Sequence, residues 1–176
     1  FGEVPAISHL INILLYALLA MLLFDLLRAL FREWQPLTLA AATLLFIVHP
    51  LHTEVVASVK SRDELMAGVF LLVAWRHYIN LIDTGKSALR WTSLLFFALA
   101  SFSKESTISF LAVFPLSAVM FRKTPVSKAV LSILPYAAIS AAYLGIRVAI
   151  EGTENAYSGL PILANILTGT KGFNEL

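Results

Sequence analysis

Cysteine is absent from this 176-residue chain, and charged residues are scarce at 14%. Without cysteine there can be no disulfide and no thiolate metal site. The formal net charge of +2 gives no argument for binding nucleic acid. The sequence also has no glycine-rich phosphate loop and no Ser-His-Asp order. Composition therefore excludes several common classes of soluble protein.

Hydrophobic residues, in contrast, make up 59% of the chain, and the mean hydropathy is +0.81. A soluble domain is about half apolar and about a quarter charged. Six apolar segments can be marked, and the second and fourth are only about a dozen residues long: 7–30, 37–48, 65–82, 91–102, 108–121 and 129–146. We predict an all-α, polytopic bundle of about six membrane segments, with the sixth kinked but not ended by Pro135.

The placement of the charges predicts an orientation. If the chain starts outside and alternates, the inner side holds eight basic residues against three acids, and the outer side five against eight. Basic residues favour the inner side of a membrane. We expect an integral membrane protein of the bacterial inner membrane or the endoplasmic reticulum. Its active side would face the periplasm or the lumen.

The two short segments predict a recessed polar cavity. About 15 residues separate Trp34 from His49, and about 14 separate Arg90 from Lys104, so each helix rises only about 20 Å. The polar turns that follow should lie at similar depth, below the outer surface. Non-helical polar backbone is tolerated there only where it lines protein or a water-filled space.

The first of these turns carries His49, His52 and Glu54. These are metal-ligand residue types, but their spacing matches no standard zinc or manganese site. Two other interpretations remain. The imidazoles can satisfy loose carbonyls at a helix end, or the histidines can place a substrate hydroxyl that Glu54 orients or deprotonates.

The stretch from Ser61 to Glu64 predicts the start of the third long helix. A serine followed three residues later by a glutamate is a capping box, in which Glu64 returns to the Ser61 amide. A helix N-terminus beside Lys60 and Arg62 also suits an anionic group such as phosphate. The two interpretations are compatible.

The turn at Lys104 and Glu105 joins the fourth and fifth segments. A local Lys104–Glu105 ion pair is one interpretation. The alternative is that Lys104, approached through apolar residues, binds a phosphate. Arg147, on the same predicted side, is a second phosphate ligand or an arginine that snorkels to the interface.

Several polar residues inside the apolar segments have local explanations. Asp25 and Arg28 are spaced as an i, i+3 pair, and Arg76 beside Trp75 and Tyr78 is typical of an aromatic belt. On the first helix, His9 and Asn12 lie one turn apart. They are predicted either to face the cavity or to make polar contacts between helices.

Three motifs together resemble those of the transmembrane and tetratricopeptide-repeat O-mannosyltransferases and their bacterial relatives. The first is H-P-L-H-T-E-V-V-A from His49, followed by Ser61, Arg62 and Glu64. The second is S-K-E from Ser103, and the third is H-L-I-N from His9. Ser61 stands where the family usually has glycine, and Asp63 where it usually has a small residue.

The resemblance implies a GT-C membrane fold and transfer of a sugar from a polyprenyl-phosphate donor to a protein or glycan acceptor. Carried over by position, it implies that Glu54, Arg62, Glu64, Lys104 and Glu105 line the active cavity. From this and the interpretations above, we predict catalytic roles for Glu54, Glu64 and Glu105. We predict substrate-binding roles, with no metal assigned, for His49, His52, Arg62, Lys104 and Arg147. We expect the family's acidic pair, which supplies the main base, to lie before Phe1. The chain alone is then expected to be inactive and the full-length protein to be an enzyme.

Residues 1–150 are predicted to be the transmembrane module and 151–176 an outer loop or the start of a further segment. The expected partners are membrane lipid, the polyprenyl-phosphate sugar and the acceptor, with no nucleic acid. No cofactor is assigned; the lipid-linked sugar is a substrate, and a divalent metal is the weaker alternative. The competing hypothesis is a non-catalytic membrane subunit that packs against other subunits of a larger complex.

Overall fold

The computed structural model describes residues 5–157, with side chains placed from Ile7 to Ile150 apart from Val59. The described part contains no strand, which confirms the all-α prediction. Its eight α-helices are α1 (Pro5–Leu30), α2 (Pro36–Ile47), α3 (Leu51–Ala57), α4 (Arg62–Thr84), α5 (Ser87–Ser103), α6 (Phe110–Arg122), α7 (Val126–Ser132) and α8 (Leu134–Tyr157). Short 3₁₀ turns precede α4 and α6 at Val59–Ser61 and Glu105–Ser109.

Four helical stretches in the described range are long and apolar enough to cross a membrane, namely Ile7–Leu30, Arg62–Thr84, Glu105–Arg122 and Val126–Ile150. If α2 and α3 form one broken span, bent by 66° at their junction, the described range contains a fifth candidate span. Along α1 the exposed side chains are large and apolar, including Leu10, Leu14 and Met21. Such a surface suits lipid, and the chain is an integral membrane protein.

Helix α2 is short, as the sequence predicts. Pro36 occupies the first turn of the helix. Backbone amides there have no acceptor within the helix, so proline loses no helical hydrogen bond. The helix has 12 residues and therefore rises about 18 Å. Pro50 then occupies the N-cap of α3, and the chain changes direction between the two helices. The turn that carries His49 to Glu54 is thus a helix break followed by a seven-residue helix.

Helices α4 and α5 form an antiparallel hairpin. Gly85 ends α4 with a φ of +68°, and its amide donates to the Leu81 carbonyl at 2.8 Å. This left-handed conformation is cheap only for glycine, and it allows α5 to begin two residues later. Ser93 of α5 donates to the Ala74 carbonyl of α4 at 2.7 Å. At the other end of the hairpin, Lys104 reaches Glu64.

The core of the hairpin is aromatic. The fully buried rings of Tyr78 and Phe97 pack with those of Phe114 on α6 and Tyr136 on α8, and five of the ring pairs have centroid distances of 5.1–5.9 Å. Tyr136 also donates to the Ser93 hydroxyl at 2.7 Å. The assignment of Tyr78 to an interfacial aromatic belt was therefore wrong, since this side chain has no exposed area. Helix packing, which cannot be read from one segment, determines its position.

The predicted neighbours Asp25 and Arg28 do not pair with each other. Asp25 accepts instead from Nε of Arg76 at 2.7 Å, while the Arg28 guanidinium lies over the Phe24 ring at 5.9 Å. Arg76 therefore joins α4 to α1 and is not a lone snorkelling cation. Trp75, predicted beside it in the belt, is half-buried and donates to the Ser117 hydroxyl of α6 at 2.9 Å.

The sixth predicted segment is interrupted in the way that Pro135 suggests. Helix α7 ends at Ser132, α8 begins at Leu134, and the two are continuous enough to count as one span. Proline has no amide to donate to the carbonyl one turn earlier, so the helical bonding is broken there. The chain divides between Ser140 and Ala141 into two compact units. Residues 158–176 of the predicted outer loop or further segment, with their apolar stretch at 160–167, lie outside the described residues.

Candidate functional site

The break between α5 and the following 3₁₀ turn determines the direction of the Lys104 side chain. Its backbone is extended, with φ −153° and ψ 129°, and its carbonyl accepts from the Thr107 hydroxyl at 2.8 Å. The ammonium group forms an ion pair with Glu64 in the first turn of α4, and Asp63 lies 4.0 Å away. The predicted role of Glu64 in a capping box is wrong, since Ser61 makes no side-chain cap bond. The distant lysine attracts this carboxylate more strongly than the local amide does.

A cavity of about 330 Å³ lies beside this ion pair. Glu64, Lys104 and Ser106 form its polar part, and Gly68 and Phe110 contribute to its apolar part. The side chains of Lys104 and Glu64 keep 32% and 43% of their surface exposed. Solvent or a ligand can therefore reach both charged groups. An anion can approach the Lys104 ammonium group without any unfolding of the surrounding helices.

Asn12 holds the end of α3 and the residues after it against α1. Its side chain is fully buried, and its amide nitrogen donates to the carbonyls of Val56 at 3.2 Å and Ser58 at 2.9 Å. Its carbonyl oxygen accepts from Nε of Arg62 at 3.1 Å. Arg62 also donates to the Ser8 carbonyl at 3.3 Å. Of the two roles predicted for Asn12, the structure shows the contact between helices, and it places Arg62 in the same network.

The histidines occupy the break between α2 and α3. Nδ1 of His52 lies 2.8 Å from the Phe46 carbonyl, and Nδ1 of His49 accepts from the Leu51 amide at 3.3 Å. These contacts match the interpretation in which imidazoles satisfy backbone groups at a helix end. Within the described part of the chain, no group of three or more His, Asp or Glu side chains is arranged to hold a metal ion.

His52 also lines a second cavity, of about 420 Å³, between α1, α2 and α3. His9 and Tyr16 of α1 face it, together with Thr53 and Val56 of α3. The Tyr16 hydroxyl donates to the Ile47 carbonyl at 2.9 Å and so satisfies a backbone acceptor at the C-terminal end of α2. The lining of this cavity is more apolar than that of the cavity at Lys104.

The remaining predicted site residues are distributed over three elements. Glu54 is exposed in the first turn of α3. Glu105 is exposed at the start of the 3₁₀ turn after Lys104. Arg147 is half-buried on α8 and belongs to the second compact unit. Their predicted roles in binding or catalysis stay predictions.

The contacts of α4 bring the two polar turns to one end of the first unit. Arg62 bonds to Asn12, which holds Val56 and Ser58 at the end of α3, and Glu64 bonds to Lys104. At the opposite end of α4, Asp83 accepts from Nε of Arg122 at 2.6 Å and also pairs with Arg32. One end therefore combines carboxylates, imidazoles and a lysine, and the other is dominated by arginine.

Two features of the site were not predicted. The Lys104–Glu64 pair joins residues 40 positions apart, so no local pattern indicates it. Gly68 is the other: a Cβ at this position would lie 2.7 Å from Cδ1 of Leu19 on α1. A small residue in a membrane helix is a signal of close helix packing, and it could have pointed to this contact.

Comparison with curated proteins shows similarity to protein O-mannosyl-transferases. The chain is 34% identical to TMTC4 of Mus musculus over 131 residues, which is 64% of this chain and 18% of that protein. It is 33% identical to TMTC3 of Mus musculus over 113 residues, 62% of this chain and 12% of that protein. It is 36% identical to tmtc2 of Xenopus laevis over 119 residues, 64% of this chain and 14% of that protein.

These matches confirm the resemblance that the three motifs indicated. The chain spans less than a fifth of the length of each of these relatives. No protein-family profile matches the chain. No solved structure matches it either.

Proposed function

We propose that this relative of the protein O-mannosyl-transferases is the membrane-embedded part of a glycosyltransferase. It would take a sugar from a polyprenyl-phosphate donor and pass it to a protein or glycan hydroxyl on the periplasmic or lumenal face. The observation that supports this most directly is the cavity at which Lys104 meets Glu64. In the proposed six-segment GT-C arrangement, this cavity is recessed below the outer surface.

In the proposed reaction, the acceptor oxygen attacks the anomeric carbon while the bond from that carbon to the phosphate oxygen breaks. The leaving polyprenyl phosphate carries the negative charge that develops. Lys104 is placed to stabilise it, because a fixed cation in a partly desolvated cavity acts without reorganisation. Arg62 is the further cation proposed for the phosphate, and the role of Arg147 on α8 stays a prediction.

The carboxylates have separate proposed roles. Glu64 holds the Lys104 ammonium group at the cavity through their ion pair. Glu54 would orient the acceptor hydroxyl with the help of His49 and His52, and Glu105 would complete the polar wall. The proton of the acceptor would pass to a carboxylate base.

The test is sugar transfer by the full-length protein carrying Lys104→Ala. Removing one charged stabiliser of a transition state typically costs about 10²- to 10³-fold in turnover, and we expect a loss of that order. The measurement is transfer of labelled mannose from polyprenyl-phosphate mannose in isolated membranes. Lys86→Ala is the matched control, since Lys86 is an exposed lysine on the other end of α5.

The free energy of unfolding should change little in the Lys104→Ala protein. Exposed ion pairs contribute about 0–1 kcal/mol, and both partners here are exposed to solvent by about a third or more. A variant that transfers sugar at the wild-type rate would refute the role of Lys104. A variant that no longer accumulates in the membrane would contradict the expectation that stability changes little.

A non-catalytic subunit is the second candidate. It is favoured by the contacts of Arg62, whose Nε and terminal nitrogen both bond within the chain, to Asn12 and to the Ser8 carbonyl. This hypothesis predicts that the full-length protein transfers no sugar, whether or not Lys104 or Lys86 is replaced. It also predicts that Lys104→Ala and Lys86→Ala alter only its assembly with other membrane proteins.

A further inference from the structure

Arginine side chains surround a polar pocket between α1 and α4, at the end of the first unit opposite to Lys104. Its volume is about 270 Å³, and its lining residues are Asp25, Arg28, Ala29, Arg32, Arg76 and Asn80. Three guanidinium groups face one carboxylate, so the lining carries three positive charges and one negative charge, a net +2. We propose that this pocket binds the phosphodiester headgroup of an anionic phospholipid.

The carboxylates around the pocket do not neutralise the arginines. Asp25 accepts from Arg76 at 2.7 Å and remains about half exposed. Asp83 pairs with Arg32, but it also accepts two bonds from Arg122, at 2.6 and 3.2 Å. One carboxylate is thus shared by two guanidinium groups. With Arg122 and Asp83 included, four arginines face two aspartates, and the net charge is still +2.

The chemistry of the lining suits a phosphodiester. Guanidinium groups present paired N–H donors that match phosphate oxygens, and they are less strongly hydrated than ammonium groups. Arg32 keeps 58% of its side chain exposed, so donors remain accessible at the mouth of the pocket. At about 30 Å³ for each water in the liquid, the volume of the pocket equals several waters and accommodates a phosphate group.

The position of the pocket along α1 selects a lipid rather than a soluble anion. The apolar stretch Ile7–Leu30 is long enough to cross the hydrocarbon, and Arg28 and Arg32 lie at its end. Trp34 follows with 56% exposure, its ring 5.0 Å from that of Phe31. Tryptophan and arginine at the end of a span mark the headgroup layer. Basic pockets between membrane helices at this depth bind anionic headgroups.

The test uses the full-length protein in phosphatidylcholine-containing detergent micelles, titrated with fluorescent phosphatidylglycerol. We expect the apparent affinity to fall about fivefold for each arginine removed and about 25-fold in Arg28→Gln/Arg32→Gln. The matched control is Lys86→Gln/Lys128→Gln. It removes two positive charges from exposed lysines that do not line the pocket, and it should bind like the wild type.

Three results would overturn the proposal. Binding of phosphatidylcholine as tight as that of phosphatidylglycerol would show that the pocket does not select an anion. Equal losses in the two double variants would assign binding to general surface charge. Displacement of the lipid by inorganic phosphate at equal concentration would assign the site to a soluble anion. If the double variant is not monodisperse, the single variant Arg28→Gln is measured instead, because Arg28 is exposed. Its apparent affinity for phosphatidylglycerol should fall about fivefold, and an unchanged affinity would overturn the proposal.

Discussion

Asn12 shows how one polar residue can organise a site from within an apolar helix. Its three hydrogen bonds reach Val56, Ser58 and Arg62, so they join α1 to the end of α3 and the start of α4. A buried donor or acceptor left without a partner costs about 1–3 kcal/mol. We expect Asn12→Ala to lower the free energy of unfolding by about 2 kcal/mol, as measured by denaturant titration of the full-length protein.

Ser8→Ala is the control for this substitution. Ser8 lies one turn earlier on α1 and contacts Arg62 through its backbone carbonyl, which the change leaves in place. The stability of this control should stay within about 0.5 kcal/mol of the wild type. Equal stability of the two variants would mean that the Asn12 bonds add nothing to helix packing.

Residue types predicted a specific partner only where that partner is near in sequence. The histidines fit this, since His49 and His52 contact backbone groups within six positions. Asp25 and Glu64 do not: each has a partner with the local spacing, yet each pairs instead with a cation on another helix. Coulomb attraction depends on distance in space, and one sequence without its fold does not supply that distance.

At the scale of the helices, the contact between α1 and α4 depends on Gly68. A Cβ there would approach Cδ1 of Leu19 to 2.7 Å, but that atom is the end of a flexible side chain. We expect Gly68→Ala to cost about 1 kcal/mol, because Leu19 must move in a packed contact. Gly68→Leu should cost about 3 kcal/mol or more and fill part of the cavity beside Lys104.

Gly145→Ala provides the comparison on α8. A Cβ at this position would meet no other described atom within 4 Å, so only the helix propensity changes, and alanine is favoured by about 1 kcal/mol. Thermal unfolding of the full-length variants measures the difference. A Gly68→Ala protein as stable as Gly145→Ala would show that α1 and α4 are not in close contact at this point.

The helices themselves were largely predictable, because each apolar run is long compared with its polar breaks. The predicted segments 7–30, 37–48 and 65–82 correspond to α1, α2 and α4, with ends that differ by at most three residues. The polar stretch after Pro50 was harder to assign, since the α3 sequence LHTEVVA mixes charge with β-branched residues. Its helical form depends on the contacts with Asn12, which are tertiary.

The two ends of the first unit differ in chemistry, and this difference predicts how the unit is oriented in a membrane. The end with Lys104 also carries Glu64 and Asp63, whereas the end with Arg122 carries a cluster of arginines. The predicted orientation places the arginine end inside, where basic residues are favoured. The charge pattern predicted this arrangement, but which helices bring the charges together depends on packing.

The absence of cysteine makes the orientation directly testable. Ser87 and Ser106 flank α5, a helix of 17 residues and about 25 Å, so they lie at opposite ends of it. Thr53 lies on α3, at the same end of the first unit as the Lys104 turn. Each is exposed, so a single cysteine at each position reports its own surroundings.

We expect a membrane-impermeant maleimide added from the periplasmic or lumenal side to label Thr53→Cys and Ser106→Cys, and to leave Ser87→Cys unlabelled until the membrane is permeabilised. The protein used is full-length, with any cysteine outside this chain replaced. Labelling of Ser87→Cys alone from that side would invert the orientation. Labelling of Thr53→Cys and Ser106→Cys from opposite sides would separate the two polar turns, and the proposed transferase site could not form because its residues would face different compartments.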